Sequence, residues 1–117
     1  MKLEDLNVYQ ISMKYSEEIY TLVSTWDYFS KDTIGKQLVR ASDSISANIS
    51  EGFGRYHYKD HKRFLYFSRG SLFEAKTWLT KANNRKLINN EKYKQLIAIC
   101  DDLGVRLNNY IISIGNK

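Results

Sequence analysis

The chain has 117 residues, enough for one compact domain and too few for two ordinary ones. Its 43% hydrophobic and 26% charged residues are ordinary for a soluble globular protein, and its single cysteine, Cys100, excludes an internal disulfide framework. Proline is absent, glycine is scarce and the net charge is +5, so the breakers of helices are missing and an all-α chain is expected.

No apolar run is long enough to cross a bilayer and no secretory pattern opens the chain, so the expected location is cytoplasmic, with no membrane partner. The charge is unevenly spread. Residues 55–86 hold nine Lys/Arg against two acids, Asp60 and Glu74, so this one segment carries more than the whole positive excess. Such a segment attracts nucleic acid, or serves as a solvated face, or meets acids of a neighbour. Glu4, Asp5, Glu17, Glu18 and Asp27 offer such a match.

The first helix is expected over residues 5–28. Val8, Ile11, Tyr15, Ile19, Leu22 and Trp26 recur every three or four positions and line one face. Asp5 or Asn7 is the expected cap at its start. Tyr9, Met13, Tyr20 and Val23 fall outside that stripe, and a second apolar face implies a partner subunit. The second helix is expected over residues 33–53 with Asp32 as its N-cap. Its stripe is Ile34, Leu38, Ala41, Ile45, Asn48 and Gly52, and its small residues allow another helix to come close. Asn48 reads as a structural polar residue that needs a hydrogen bond to satisfy a helix end or fix register.

Gly52 and Gly54 are expected to end the second helix, since glycine tolerates positive φ, and Phe53 to plug the end of the core. Glu51 and Arg55, four apart, are expected to pair. The third helix follows over residues 58–85, with His61, Phe64, Leu65, Ser68, Leu72, Ala75 and Leu79 inward. Opposite them stand Lys62, Tyr66, Arg69, Phe73, Lys76 and Thr80. Aromatics among cations either anchor a protein interface or stack bases while their neighbours hold phosphates. Tyr66 and Phe73, with Met13 and Tyr20, are read as oligomer contacts; Arg55, Lys59, Lys62, Arg63 and Arg69 are read as nucleic-acid contacts. An asparagine-rich turn precedes the fourth helix, residues 90–114, capped by Asn89 or Asn90. Its seam is Tyr93, Leu96, Cys100, Leu103, Leu107, Tyr110 and Ile114, and Gly115-Asn116-Lys117 reads as a frayed end. The four helices predict an up-and-down antiparallel four-helix bundle.

Catalytic and metal chemistry find little support. His57 and His61 have an i,i+4 spacing, but no HExxH, third histidine or nearby cysteine accompanies them. Ser44, Ser46 and Ser50 lack a nucleophile elbow and a neighbouring base, and Asp43 and Glu51 lack the Glu-x-x-His partners of a di-metal bundle. Gly52-Phe53-Gly54 lacks the rest of a phosphate loop. The expectation is a non-enzyme without cofactor or metal.

Gln37-Leu38, Arg40-Ala41, Ser44-Ile45, Ala47-Asn48-Ile49, Glu51-Gly52-Phe53-Gly54-Arg55, Arg63-Phe64-Leu65-Tyr66, Arg69-Gly70-Ser71-Leu72 and Glu74 together resemble the four helix bundle protein family. That family is also called the ribosomal RNA intervening-sequence or S23-like proteins. The resemblance is densest over residues 37–74. It implies a bundle assembling into a ring, expected to be a homopentamer. It also implies kinship with accessory proteins of diversity-generating retroelements, whose basic ring binds nucleic acid and a reverse transcriptase. The chain departs from the pattern at His57, where a serine cap is common, at Ser68, where alanine is usual, and in lacking a proline before the second helix. The reading is a homo-oligomeric bundle binding RNA or DNA with little sequence preference. The alternative is a protein–protein scaffold without nucleic-acid contact.

Overall fold

A computed structural model describes residues 1–115. Four helices dominate it: α1 Asn7–Ser24, α2 Lys36–Phe53, α3 Tyr58–Asn84 and α4 Asn90–Ser113. A 3₁₀ turn, Leu3–Asp5, precedes α1. A short helix, Tyr28–Ser30, runs through a π-helical turn, Lys31–Gly35, into α2. Asn116 and Lys117 of the expected frayed end lie outside the described residues.

Each helix packs on its neighbours in the order α1–α2–α3–α4 and back to α1, which leaves α1 and α3 on one diagonal. The seams are antiparallel. Across α2 and α3, Arg40 meets Glu74, Ser44 meets Ser71, and Gly52 meets His61 at the turn. Across α3 and α4, Lys76 meets Asp101 while His61 meets Tyr110 far along the chain. Tyr15, Ile19, Leu38, Ile45, Leu65, Leu72, Leu79, Leu96, Leu103 and Leu107 are fully buried between the four helices. Phe53 packs against the end of that core, as expected.

The α2–α3 seam is the closest, because its facing positions are small. Ser68 is buried against α2 and its hydroxyl donates to the Ile45 carbonyl at 2.8 Å. An alanine there would leave a covered carbonyl with one partner fewer; the serine satisfies it across the helix pair. Half-buried Asn48 does not fix a helix end. Its amide donates to the Ser44 carbonyl and hydroxyl, both at 2.9 Å, one turn back on its own helix. The Ser44 hydroxyl in turn bonds Ser71 at 2.9 Å, so the register link crosses to α3 through two serines.

Several helix ends depart from expectation. The first helix stops at Ser24, earlier than residue 28, and Asp27 takes the capping role expected of Asp32. The Asp27 carboxylate accepts from the Ser30 N–H at 3.0 Å, whereas Asp32 pairs with Lys36 at 3.0 Å. At the N-terminus neither Asp5 nor Asn7 caps α1. Asp5 accepts from the Lys2 N–H at 3.1 Å and closes the 3₁₀ turn. Val23 is buried against Gly35, not on an outer face. Of the two asparagines before α4, Asn89 is the cap, accepting from the Lys92 N–H at 2.7 Å. In the α3–α4 turn the left-handed residue is Lys86, with φ of 60°, not an asparagine. At the end of α4's seam Ile111 is buried and Ile114 only partly so.

Gly52 and Gly54 do not adopt positive φ. Gly52 is a packing residue. A Cβ there would stand 3.0 Å from the His61 carbonyl oxygen and 3.1 Å from the Phe64 Cβ, so a bare backbone lets α3 start hard against the end of α2.

Candidate nucleic-acid interface

The α2–α3 turn sends the chain back so that the first two turns of α3 stand beside the C-terminal exit of α4. There Tyr58, Lys59, Asp60, Lys62, Arg63, Tyr66 and Gly115 enclose a cleft of about 520 Å³. Tyr58, Lys62 and Tyr66 are successive i,i+4 positions on α3, so they form one ridge, with Lys59 and Arg63 on the next. His57, the residue before α3, makes no side-chain cap, and the positive end of the helix dipole adds to the field here.

Of the five cations expected from the sequence, Lys59, Lys62 and Arg63 share this cleft. Arg55 lies before it, bonded to Glu51 at 2.7 Å as expected, with its guanidinium 4.6 Å from the Phe64 ring centre. Arg63 approaches the same ring at 5.4 Å, and Asp60 holds it loosely at 3.7 Å. Arg69 stands further along, 5.4 Å from the Phe73 ring, with the Lys76 ammonium 5.5 Å from that ring. An aromatic face orients a cation without cancelling its charge, whereas a carboxylate cancels it. Among the described residues Lys59 and Arg69 form no salt bridge. Lys76 bonds Asp101 at 2.8 Å and is withdrawn from the outer face.

Tyr58, Asp60 and Gly115 complete the cleft and were not singled out in the sequence. The Tyr58-Lys62-Tyr66 spacing was the signal for the first; the approach of Gly115 had none, since it follows the C-terminus of α4, far along the chain. Tyr66 and Phe73, grouped together by sequence, line different grooves: Phe73 lies with Arg69, Leu72, Lys76 and Gly104. Met13 and Tyr20 are exposed on the outer side of α1.

Other titratable groups are occupied structurally. His57 packs edge-on against Tyr56, while half-buried His61 packs edge-on against Tyr110; the His61 Nε2 lies 3.3 Å from the Tyr110 hydroxyl. The two histidines therefore do not converge, and no group of three or more metal-ligating residues occurs among the described residues. Burial raises the Asp43 carboxyl, with Glu17 as its acidic neighbour rather than Glu51. Burial pushes the Cys100 thiol up to about 11, which suits a core position and not a nucleophile. The Trp78 indole N–H, then the Arg40 guanidinium, hold Glu74 below the ordinary carboxylate range. No helix among the described residues is long and apolar enough to cross a membrane.

Partial burial lowers the His61 pKa below 6.5. The unfolded chain then binds the proton more readily, so this contribution to stability is complete above pH 6.5 and is lost as pH falls through and below it. Melting curves between about pH 7 and about pH 5 should show the melting temperature falling, and His61→Gln should flatten that fall.

A closed antiparallel bundle with cations and tyrosines gathered at one end defines an all-helical protein of the four-helix-bundle class. The chain belongs to the 23S rRNA-intervening sequence protein family, whose model matches residues 4–109. Among solved structures it is similar to a protein of unknown function of the S23 ribosomal protein family from Bacteroides thetaiotaomicron. The TM-score is 0.80 at 22% identity, over 89% of this chain and 97% of the other, a likeness of fold. No curated protein matches.

Proposed function

We propose that this is a non-enzymatic, homo-oligomeric bundle that binds RNA through its basic end with little sequence preference. The observation that carries the reading is the convergence of Lys59, Lys62 and Arg63 with Tyr58 and Tyr66 in one cleft. Among the described residues no side-chain array suited to reading base edges accompanies them, so binding rests on charge and weakens steeply with salt. Filter binding of the pure protein to RNA at low and at physiological salt tests this. Retention at low salt that falls with added salt is expected; no retention at low salt overturns it.

The assembly part rests on two outer faces. Met13, Glu17 and Tyr20 share one stripe of α1; Arg69, Gly70 and Phe73 share one of α3, with Tyr66 one turn before them on the same face. Tyr20 is 62% and Phe73 53% exposed. The helices lie on a diagonal, so these faces point opposite ways, and joining them between copies is a head-to-tail contact of the kind that closes into rings. The charges, Glu17 against Arg69, match. Gly70 adds weight. A glycine inside an exposed helix costs about 1 kcal/mol relative to alanine, and beyond the adjoining turns of its own helix no described atom of the protomer lies within 4 Å of where its Cβ would be. A neighbouring copy at close range accounts for it. Light scattering should report a ring, five-membered by the family resemblance. Gly70→Gln combined with Phe73→Glu should reduce it to smaller species while helix content by circular dichroism is unchanged.

The same two faces favour a second reading, a scaffold whose apolar surfaces recruit another protein. It gains if the protein forms rings and retains no RNA at low salt.

A further inference from the structure

Resting on the nucleic-acid reading above, we propose that the cleft at the start of α3 takes an unpaired nucleic-acid strand, with bases on the Tyr58 and Tyr66 rings and phosphates at Lys59 and Arg63. Four observations bear on this.

The two tyrosines line one pocket at positions eight apart on α3, two helical turns of about 5.4 Å each. That separation exceeds the span between stacked neighbouring bases, so each ring serves its own base on a strand drawn open. Both side chains are accessible, Tyr66 at 54% and Tyr58 at 44% exposure. A ring held by packing on one side and open on the other presents a π face, and every base has a π face to meet it.

The cations sit where the backbone of such a strand would run. Lys59 follows Tyr58 directly, and Arg63 lies between the rings in sequence, its guanidinium oriented by the Phe64 ring and only loosely held by Asp60. Orientation by an aromatic face leaves the charge available for a phosphate.

The volume also discriminates. About 520 Å³ lies within the range of pockets that hold small ligands, room for one or two unpaired nucleotide units and not for the breadth of a double helix. In a duplex the base faces are already stacked inside, and a protein ring reaches one only by extruding it. A duplex would therefore meet the cations and leave the tyrosines idle. Finally, Gly115, which carries no side chain, forms part of the cleft wall.

Tyr66, read from the sequence as an oligomer contact, is thereby assigned to the ligand, and the contact between copies passes to Arg69, Gly70 and Phe73.

Fluorescence anisotropy with oligoadenosine RNA, oligouridine RNA, a DNA strand and an RNA hairpin duplex of equal phosphate number tests the inference. The single strands should bind about tenfold or more tightly than the duplex, oligoadenosine above oligouridine because purines stack better, with RNA and DNA strands alike. Tyr58→Ala with Tyr66→Ala should remove that preference, costing the single strands about tenfold or more in all while duplex binding stays as it was. Tyr58→Phe with Tyr66→Phe, which keeps the rings, should retain it. Light scattering on the same variants guards against loss of assembly. Equal affinity for strand and duplex, or alanine variants that bind strands as well as the parent, overturns this inference alone. Absence of binding by every probe overturns the nucleic-acid reading with it.

Discussion

Replacing Lys59 and Arg63 together with glutamate should abolish RNA retention, weakening binding roughly a hundredfold or more at low salt. Each reversal removes a phosphate partner and installs a repelling charge beside Asp60 in the same cleft. The dependence of log affinity on log salt should flatten by about 0.7 for each phosphate of a single strand that is no longer neutralised. The same change of charge at Lys81 and Lys94 is the control. Lys81 lies near the far end of α3 and Lys94 in the first turns of α4, at the end of the bundle opposite the cleft. If both pairs weaken binding equally, affinity comes from net charge and the cleft has no special part. If only the first pair does so, the ligand is placed. Melting temperatures should barely move for either pair, because surface ion pairs such as Arg63–Asp60 contribute little.

Gly52→Val should lower stability by about 3 kcal/mol, a fall in melting temperature of roughly 10 °C, with RNA binding falling as well. The new Cβ would come within 3.0 Å of the His61 carbonyl oxygen and 3.2 Å of the His61 ring. A carbonyl in a helix cannot step aside alone, so the start of α3 must shift, and that turn carries Tyr58, Lys59 and Arg63. Gly54→Ala is the counterpart. Its Cβ would meet nothing nearer than 3.7 Å, an ordinary contact, so it should stay within about 0.5 kcal/mol of the parent. Thermal melts of the two variants separate packing from conformational freedom. Equal damage at both sites would mean that helix termination, not close approach, is what the glycines provide.

The two glycines show the limit of pattern reading. Both stand at a helix end in sequence, where positive φ is the usual reason, yet neither adopts it, and only the approach of α3 tells them apart. The caps teach the same lesson. Asp27 and Asp32 are equally able to accept a backbone N–H. Which one does depends on where α1 stops, and that depends on Val23 settling against Gly35, a contact between helices. Asn48 was visible as a polar residue in an apolar arc, and its partner stands one turn back on its own helix, but the serine link onward to Ser71 depends on how near α3 lies.

The cleft divides likewise. That residues 55–86 hold the positive excess, and that tyrosines alternate with lysines at helical spacing, is written in the sequence. Which cations converge is not. Lys76 is drawn off by Asp101 of α4, Arg69 stands over Phe73 in another groove, and Gly115 arrives from beyond the C-terminus of α4.

By itself the sequence determined four helices, their amphipathic seams and the basic stretch, because local periodicity and charge are properties of neighbours along the chain. Only the tertiary structure decided which helix end bears the cap, why Gly52 has no side chain and which tyrosines and cations share a cleft. Those depend on distances between segments, and such distances exist only once the helices have packed.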